Sequence, residues 1–406
     1  MEQRLASLEH QVALMRRLLD VDPQEVAAAI PTVGAEELGR KLVDSLAAMA
    51  PLQILLDDDS INDILINGPD QIFIERDGKL SRTSLHFSSD SDVFAIAQLI
   101  AQQVGRNVDT RRPLLDARLR DGSRVNIIAP PLAVDGTAIS IRKFAKRSIT
   151  LNDMRERGNM SPQMAEFLKI VARCKMNIII SGGTGSGKTT LLNAISQFID
   201  LDERIVTIED AAELRLQQPH VVRLESRPFR MGASKEEEVS IRDLMKNALR
   251  MRPDRIIVGE VRGAEAFDMM QAMNTGHEGS FTTIHANHPR DALARLESMI
   301  NMANLNLPAN AIRTQIGSAI HIIIQVSRMR DGQRRIAYIS EVVGMESDII
   351  TMQDLFTYHS KGETPDGKLT GDFKWSGIMP RFLRRIAYYG EADRLSQALG
   401  VKLPKI

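Results

Sequence analysis

The octapeptide Gly182-Gly-Thr-Gly-Ser-Gly-Lys-Thr189 constrains the local architecture of this chain more tightly than any other stretch. It is a complete G-x-x-x-x-G-K-[ST] pattern. The apolar run Met176-Asn-Ile-Ile-Ile-Ser181 precedes it, and the helix-like Thr189-Thr-Leu-Leu-Asn-Ala-Ile-Ser196 follows. A buried strand that passes through glycines into a helix brings free backbone N–H groups and a helix N-terminus to one point, where phosphate oxygens bind. The pattern predicts an α/β layer with a nucleoside triphosphate site. Gly182, Gly183, Thr184, Gly185, Ser186 and Gly187 form the expected cradle, and Thr189 and Thr190 open the helix. Lys188 is expected to reach the β and γ phosphates, and the Thr189 hydroxyl to ligate Mg²⁺.

Length and composition set limits. At 406 residues the chain suits two or three domains. Lys plus Arg and Asp plus Glu are 52 each, so no global basic field concentrates nucleic acid. Aromatics at 4% argue against a base-stacking platform, and direct nucleic-acid binding is not expected. Cys174 is the only cysteine, which excludes an intrachain disulfide and fits a reducing compartment. No apolar run reaches the roughly 20 residues of a membrane span, and the polar start Met1-Glu-Gln-Arg does not resemble a signal peptide. The expectation is a cytoplasmic protein without a transmembrane segment.

Hydrophobic patterning divides the chain. Leu5, Leu8, Val12, Met15 and Leu19 form a helical seam, and residues 36–49 read as a second helix, so residues 1–50 are an N-terminal helical segment. Residues 51–145 read as a small α+β domain. Its strands are expected at 63–67, 71–75, 85–87, 123–128 and 137–142, with a hairpin tip at Arg76-Asp-Gly-Lys79 and a helix over 93–104. Residues 146–345 alternate in α/β fashion. Strands are expected at 176–181, 204–208, 221–224, 255–259 and 280–284, helices at 188–199, 238–250, 263–274 and 290–303, and a hairpin around Asp331-Gly332. Pattern weakens over 346–406, taken as the tail of that domain.

Hydrolysis needs more than a phosphate cradle: a metal site, a carboxylate to polarise water and positive charge on the γ-phosphate. Arg255-Ile-Ile-Val-Gly-Glu260 is an apolar strand ending in an acid, and Glu260 is the candidate to hold Mg²⁺ with Thr189. Arg204-Ile-Val-Thr-Ile-Glu-Asp210 repeats the arrangement, so Glu209 or Asp210 could orient the attacking water. His277 and His285 lie at the two ends of a short β run. Their spacing of eight fits no zinc motif, leaving a γ-phosphate sensor or a bridge to a neighbouring subunit. A basic cluster in the first domain includes Arg124 and Arg142, readable as a solvated face or as a nucleotide clamp.

Taken together, these segments resemble the secretion ATPase superfamily of type II secretion, type IV pili and type IV secretion. The resemblance rests on the ordered set GGTGSGKT, VTIEDAAEL (Val206 to Leu214), RPDRIIVGEVRG (Arg252 to Gly263) and GHEGSFTTIHAN (Gly276 to Asn287). Within it the chain is most similar to the CpaF/TadA-type ATPases of the tight-adherence (Flp) pilus. The segments RPLLDARLRDGSRVN (Arg112 to Asn126), ISIRKF (Ile139 to Phe144), MQDLF (Met352 to Phe356) and FKWSGIMPRF (Phe373 to Phe382) carry that assignment. The resemblance implies a RecA-like P-loop domain preceded by a smaller α+β domain, a homo-hexameric ring, and ATP with Mg²⁺ as ligands. It implies a motor peripheral to the inner membrane, working on platform proteins of a pilus machine. The alternative is a type IV secretion-like ATPase exporting protein or DNA. It also implies that Glu209 is the catalytic acid, Glu260 the Walker-B acid, His277 and His285 the histidine box, and Arg124 and Arg142 the first domain's arginines.

Overall fold

A computed structural model of the chain describes residues 49–404, apart from 77, 120, 145–148 and 228–237. The expected helix over 3–19 and all but the last residue of that over 36–49 lie outside the described residues. The chain divides into two compact units, with the boundary after residue 146.

The first unit is a six-stranded antiparallel sheet. Its strands are β1 (Asp63–Asn67), β2 (Ile72–Arg76), β3 (Lys79–Arg82), β4 (Leu114–Arg118), β5 (Arg124–Ile128) and β6 (Ala138–Arg142), in the order β3-β2-β1-β6-β5-β4. Strict alternation gives the sheet one apolar face: in β5, Val125 and Ile127 are buried while Arg124 and Asn126 are exposed. The helix Asp90–Gln103, capped by Ser89, covers that face with Val93, Ile96, Ala97 and Ile100. Two differences from the sequence reading have local causes. Arg76 pairs directly with Lys79, so β3 occupies 79–82, and the expected strand at 85–87 does not form. Residues 49–57 are helical, with Leu52 and Leu55 buried at a helical step, so helix runs past the predicted change at Pro51.

The second unit is a nine-stranded sheet with helices on both faces. Its strands are β7 (Ile178–Gly182), β8 (Ile205–Glu209), β9 (Val221–Glu225), β10 (Arg255–Val258), β11 (Phe281–Ile284), β12 (Ile322–Arg328), β13 (Arg334–Glu346), β14 (Ile349–Glu363) and β15 (Leu369–Trp375). The order is β15-β14-β13-β12-β7-β11-β10-β8-β9. The strands from β9 to β12 are parallel, and β12 to β15 continue as an antiparallel meander. Strand β7 shows why parallel strands read as unbroken apolar runs: Ile178 and Ile180 enter one core while Ile179 enters the other. The first core takes the helices Pro162–Arg173 and Lys188–Ser196; the second takes Ile241–Ala248, Glu265–Asn274 and Pro289–Asn301.

The stretch after 346 is more ordered than its sequence pattern implied. The far end of β14, residues 359–363, is exposed, so His359, Ser360 and Lys361 interrupt the apolar signal. Leu383, Ile386, Leu395 and Leu399 of the last two helices return to the first core.

Candidate active site

The parallel strands point their carboxyl ends to one edge of the sheet, where ligands of open α/β sheets bind. Strand β7 reaches that edge at Gly182 and turns through the glycine loop into the helix Lys188–Ser196. Gly187 caps this helix at φ +94°, a left-handed conformation that glycine adopts without steric cost. Thr184 and Gly185 are exposed at the loop tip, and Ser186 is buried with its hydroxyl donating to Gly183 O at 2.9 Å. Thr189 and Thr190 stand half-buried in the first helical turn.

Lys188 folds back over the loop. Its Nζ donates to the carbonyls of Gly182 and Gly183, each at 3.0 Å, and lies 3.5 Å from His285 Nε2. Burial lowers the Lys188 pKa, partly offset by the charge of Glu260. His285 follows β11, the immediate neighbour of β7, and its Nε2 is 3.0 Å from Glu260 Oε1. Desolvation and the nearby ammonium hold the His285 pKa below the usual range, so at neutral pH the ring is an uncharged donor to the carboxylate. Glu260 follows β10 and takes a second bond, 2.8 Å, from Arg262. Burial alone would raise the Glu260 pKa; the Arg262 hydrogen bond and the charges of Arg262, His285 and Lys188 outweigh it, so the carboxyl stays ionised. Arg262 also approaches Asp210 Oδ2 at 3.8 Å. A continuous polar line therefore runs Lys188–His285–Glu260–Arg262–Asp210. Sequence reasoning passed over Arg262, although it sits two residues beyond the Walker-B-like acid.

Glu209 is placed differently. Strand β8 is three positions from β7, about 14 Å at ordinary strand spacing. Its carboxyl turns inward and is 3% exposed. Oε1 accepts the backbone N–H groups of Glu213 and Leu214, both at 2.9 Å. Oε2 is buried with no hydrogen-bond partner among the described residues. Burial pushes the Glu209 pKa up to about 7 against the pull of those two N–H groups and of Arg223. The space it occupies depends on Gly259, where a Cβ would come within 2.8 Å of Glu209 Cγ. The turn beyond Glu209 is tied to the phosphate-loop helix by Arg215 N donating to Asn193 Oδ1 at 2.9 Å.

The two histidines separate. His285 stands at the phosphate edge, whereas His277 precedes β11 at the opposite edge, about 13 Å of strand away. His277 Nδ1 is buried without a partner among the described residues, and its carbonyl accepts the Ser280 hydroxyl at 2.7 Å.

Arg124 and Arg142 belong to the first unit. They face each other in register across β5 and β6, beside a groove of about 490 Å³ on the solvent face of that sheet. Arg142 pairs with Asp63 at 3.1 Å, and Arg124 approaches Asp116 at 4.0 Å. No helix among the described residues is long and apolar enough to cross a membrane.

The sequence profile described as "Type II/IV secretion system protein" matches residues 45–353. The chain is 37% identical over 307 residues to a putative conjugal transfer protein of Mycobacterium tuberculosis, covering 74% of this chain and 86% of that one. It is 32% identical over 323 residues to the type IV secretion system protein VirB11 of Bartonella henselae, covering 70% and 89%. The X-ray structure of the ATPase DotB from Legionella pneumophila shares the fold, with a TM-score of 0.52 and 24% identity over 70% of this chain and 77% of that one. The chain thus belongs to the type II/IV secretion system protein family.

Proposed function

We propose that the chain is a hexameric motor of the type IV secretion or conjugal-transfer kind, in which ATP hydrolysis drives export through inner-membrane machinery from the cytoplasmic side. The observation that carries this reading is the line Lys188–His285–Glu260 at the end of the phosphate-loop strand. Lys188 supplies the cation for the phosphates. Glu260, kept ionised by Arg262, is the acid best placed to order the attacking water, and His285 reports between the two. Glu209 then acts from behind by shaping the turn that presents Asp210. Mg²⁺ would screen phosphate charge, and the Thr189 hydroxyl and the ionised Glu260 carboxylate are the hard oxygen donors that suit it. The resemblance adds Arg124 and Arg142 as the first domain's arginines and matches His277, with His285, to the histidine box.

The roles that the relatives are named for, conjugal transfer and type IV secretion, favour export of protein or DNA over the tight-adherence pilus. The pilus remains the second reading because Met352–Phe356 and Phe373–Phe382 resemble that branch. The latter segment lies beyond the family match, which ends at residue 353. Source cells carrying Lys188→Ala separate the two. Loss of DNA transfer or effector export with normal surface fibres supports the secretion reading. Loss of thin bundled fibres, with pilin retained in the membrane and export intact, would overturn it in favour of the pilus.

A further inference from the structure

The turn between β12 and β13 sits on the phosphate loop. Strand β12 runs parallel to β7 and pairs Val326 with Gly182, so it ends where the loop begins. The chain reverses through Met329–Gly332 and brings Arg334 back over the loop. Arg334 Nε donates to Gly185 O at 2.9 Å. Its stem lies against Gly187, where a Cβ would meet Arg334 Cδ at 3.2 Å. Among the described residues, the terminal NH groups of Arg334 make no hydrogen bond. Its backbone is fixed from behind by Asn159, which is 9% exposed. The Asn159 amide donates to Arg334 O, and Asn159 O accepts Ile336 N at 2.9 Å.

We propose that Arg334 is a further cation of the nucleotide site, held in place by Asn159, and that it both orients the phosphate loop and binds the polyphosphate. Gly185 has φ +68°, and glycine at such a position leaves its peptide free to turn. A Gly185 carbonyl turned inward would aim a lone pair at the phosphates. The Arg334 bond keeps that oxygen outside, and the guanidinium fork retains donors for an anion. This rests on the nucleotide reading of the loop and adds a residue to it from an element outside the motif.

The test measures affinity for ATP, ADP and inorganic tripolyphosphate, by competition against a fluorescent ADP, at low and high salt. The full chain is used, with thermal melting to confirm folding. Arg334→Ala should weaken all three ligands roughly tenfold, the effect of losing one charge-assisted hydrogen bond, and should flatten the salt dependence. Arg334→Lys should restore the salt dependence with only part of the affinity, because an ammonium lacks the planar fork. Arg334→Gln, which keeps length without charge, should bind like Arg334→Ala and serves if that variant is unstable. Wild-type affinities in folded Arg334→Ala or Arg334→Gln, with binding lost in Lys188→Ala, would overturn the role of Arg334 alone. Wild-type affinities in Lys188→Ala as well would overturn the nucleotide reading itself.

Discussion

Glu260→Gln is expected to lower steady-state phosphate release by about 10²–10⁴-fold, the range for removing a positioned acid–base group, while ATP still binds. The substitution keeps the shape of the side chain and removes the charge on which three neighbours converge. His285 lies at 3.0 Å, Arg262 at 2.8 Å, and Lys188 adjoins through His285. An amide keeps one acceptor oxygen for Arg262 or His285, where the carboxylate offers two, and cannot hold a water as a base. The loss should therefore fall on kcat, with KM for ATP little changed. Glu209→Gln should fall less far, because that carboxyl accepts only its own loop's N–H groups and faces the interior. Turnover near wild type in Glu260→Gln, with turnover abolished in Glu209→Gln, would return the water-ordering role to Glu209.

The second large effect is on stability. Burial pushes the Glu209 pKa up to about 7 in the fold, against an ordinary value of 4.5. Between those pH values the unfolded chain has lost the proton and the native chain still carries it. The unfolded state therefore binds fewer protons, and stability falls as pH rises through this window. Above about pH 7 the native protein holds a buried carboxylate and the loss is complete. The difference corresponds to on the order of 3 kcal/mol. Glu209→Gln has no such proton, so its stability relative to wild type should grow by about that amount from acid to neutral pH and then level off. Urea unfolding of both proteins across this range measures it. Parallel pH profiles would show that Glu209 does not titrate in the folded state.

Much of the nucleotide half was legible because its signals are local. An apolar run, a glycine loop and a helical period follow in immediate succession around Lys188, and strands buried on both faces need no alternation to be seen. Glu260 and His285 were legible as acids and imidazoles at strand ends. Glu260 was also read beside the phosphate loop, as a metal ligand with Thr189; the placing of His285 between Glu260 and Lys188 was not legible, because it depends on the strand order β7-β11-β10, which no local pattern encodes. The same order carries Glu209 away from the phosphate loop, and the direction of β11 sends His277 to the far edge. Arg334 was hidden for a related reason: it lies 149 residues from Gly185 in sequence and meets it only through the β12–β7 pairing. The tail was hardest to read, since most of β14 and β15 is exposed or only partly buried and their polar residues dilute the apolar signal.

Phosphate release from ATP and Mg²⁺ by the purified chain, compared with Lys188→Ala, tests the central claim most directly. The account predicts ATP-dependent release by the wild type and its loss in a variant that melts at the same temperature. Equal release by the two folded proteins would contradict it, because turnover would then not depend on the ammonium around which the site is built.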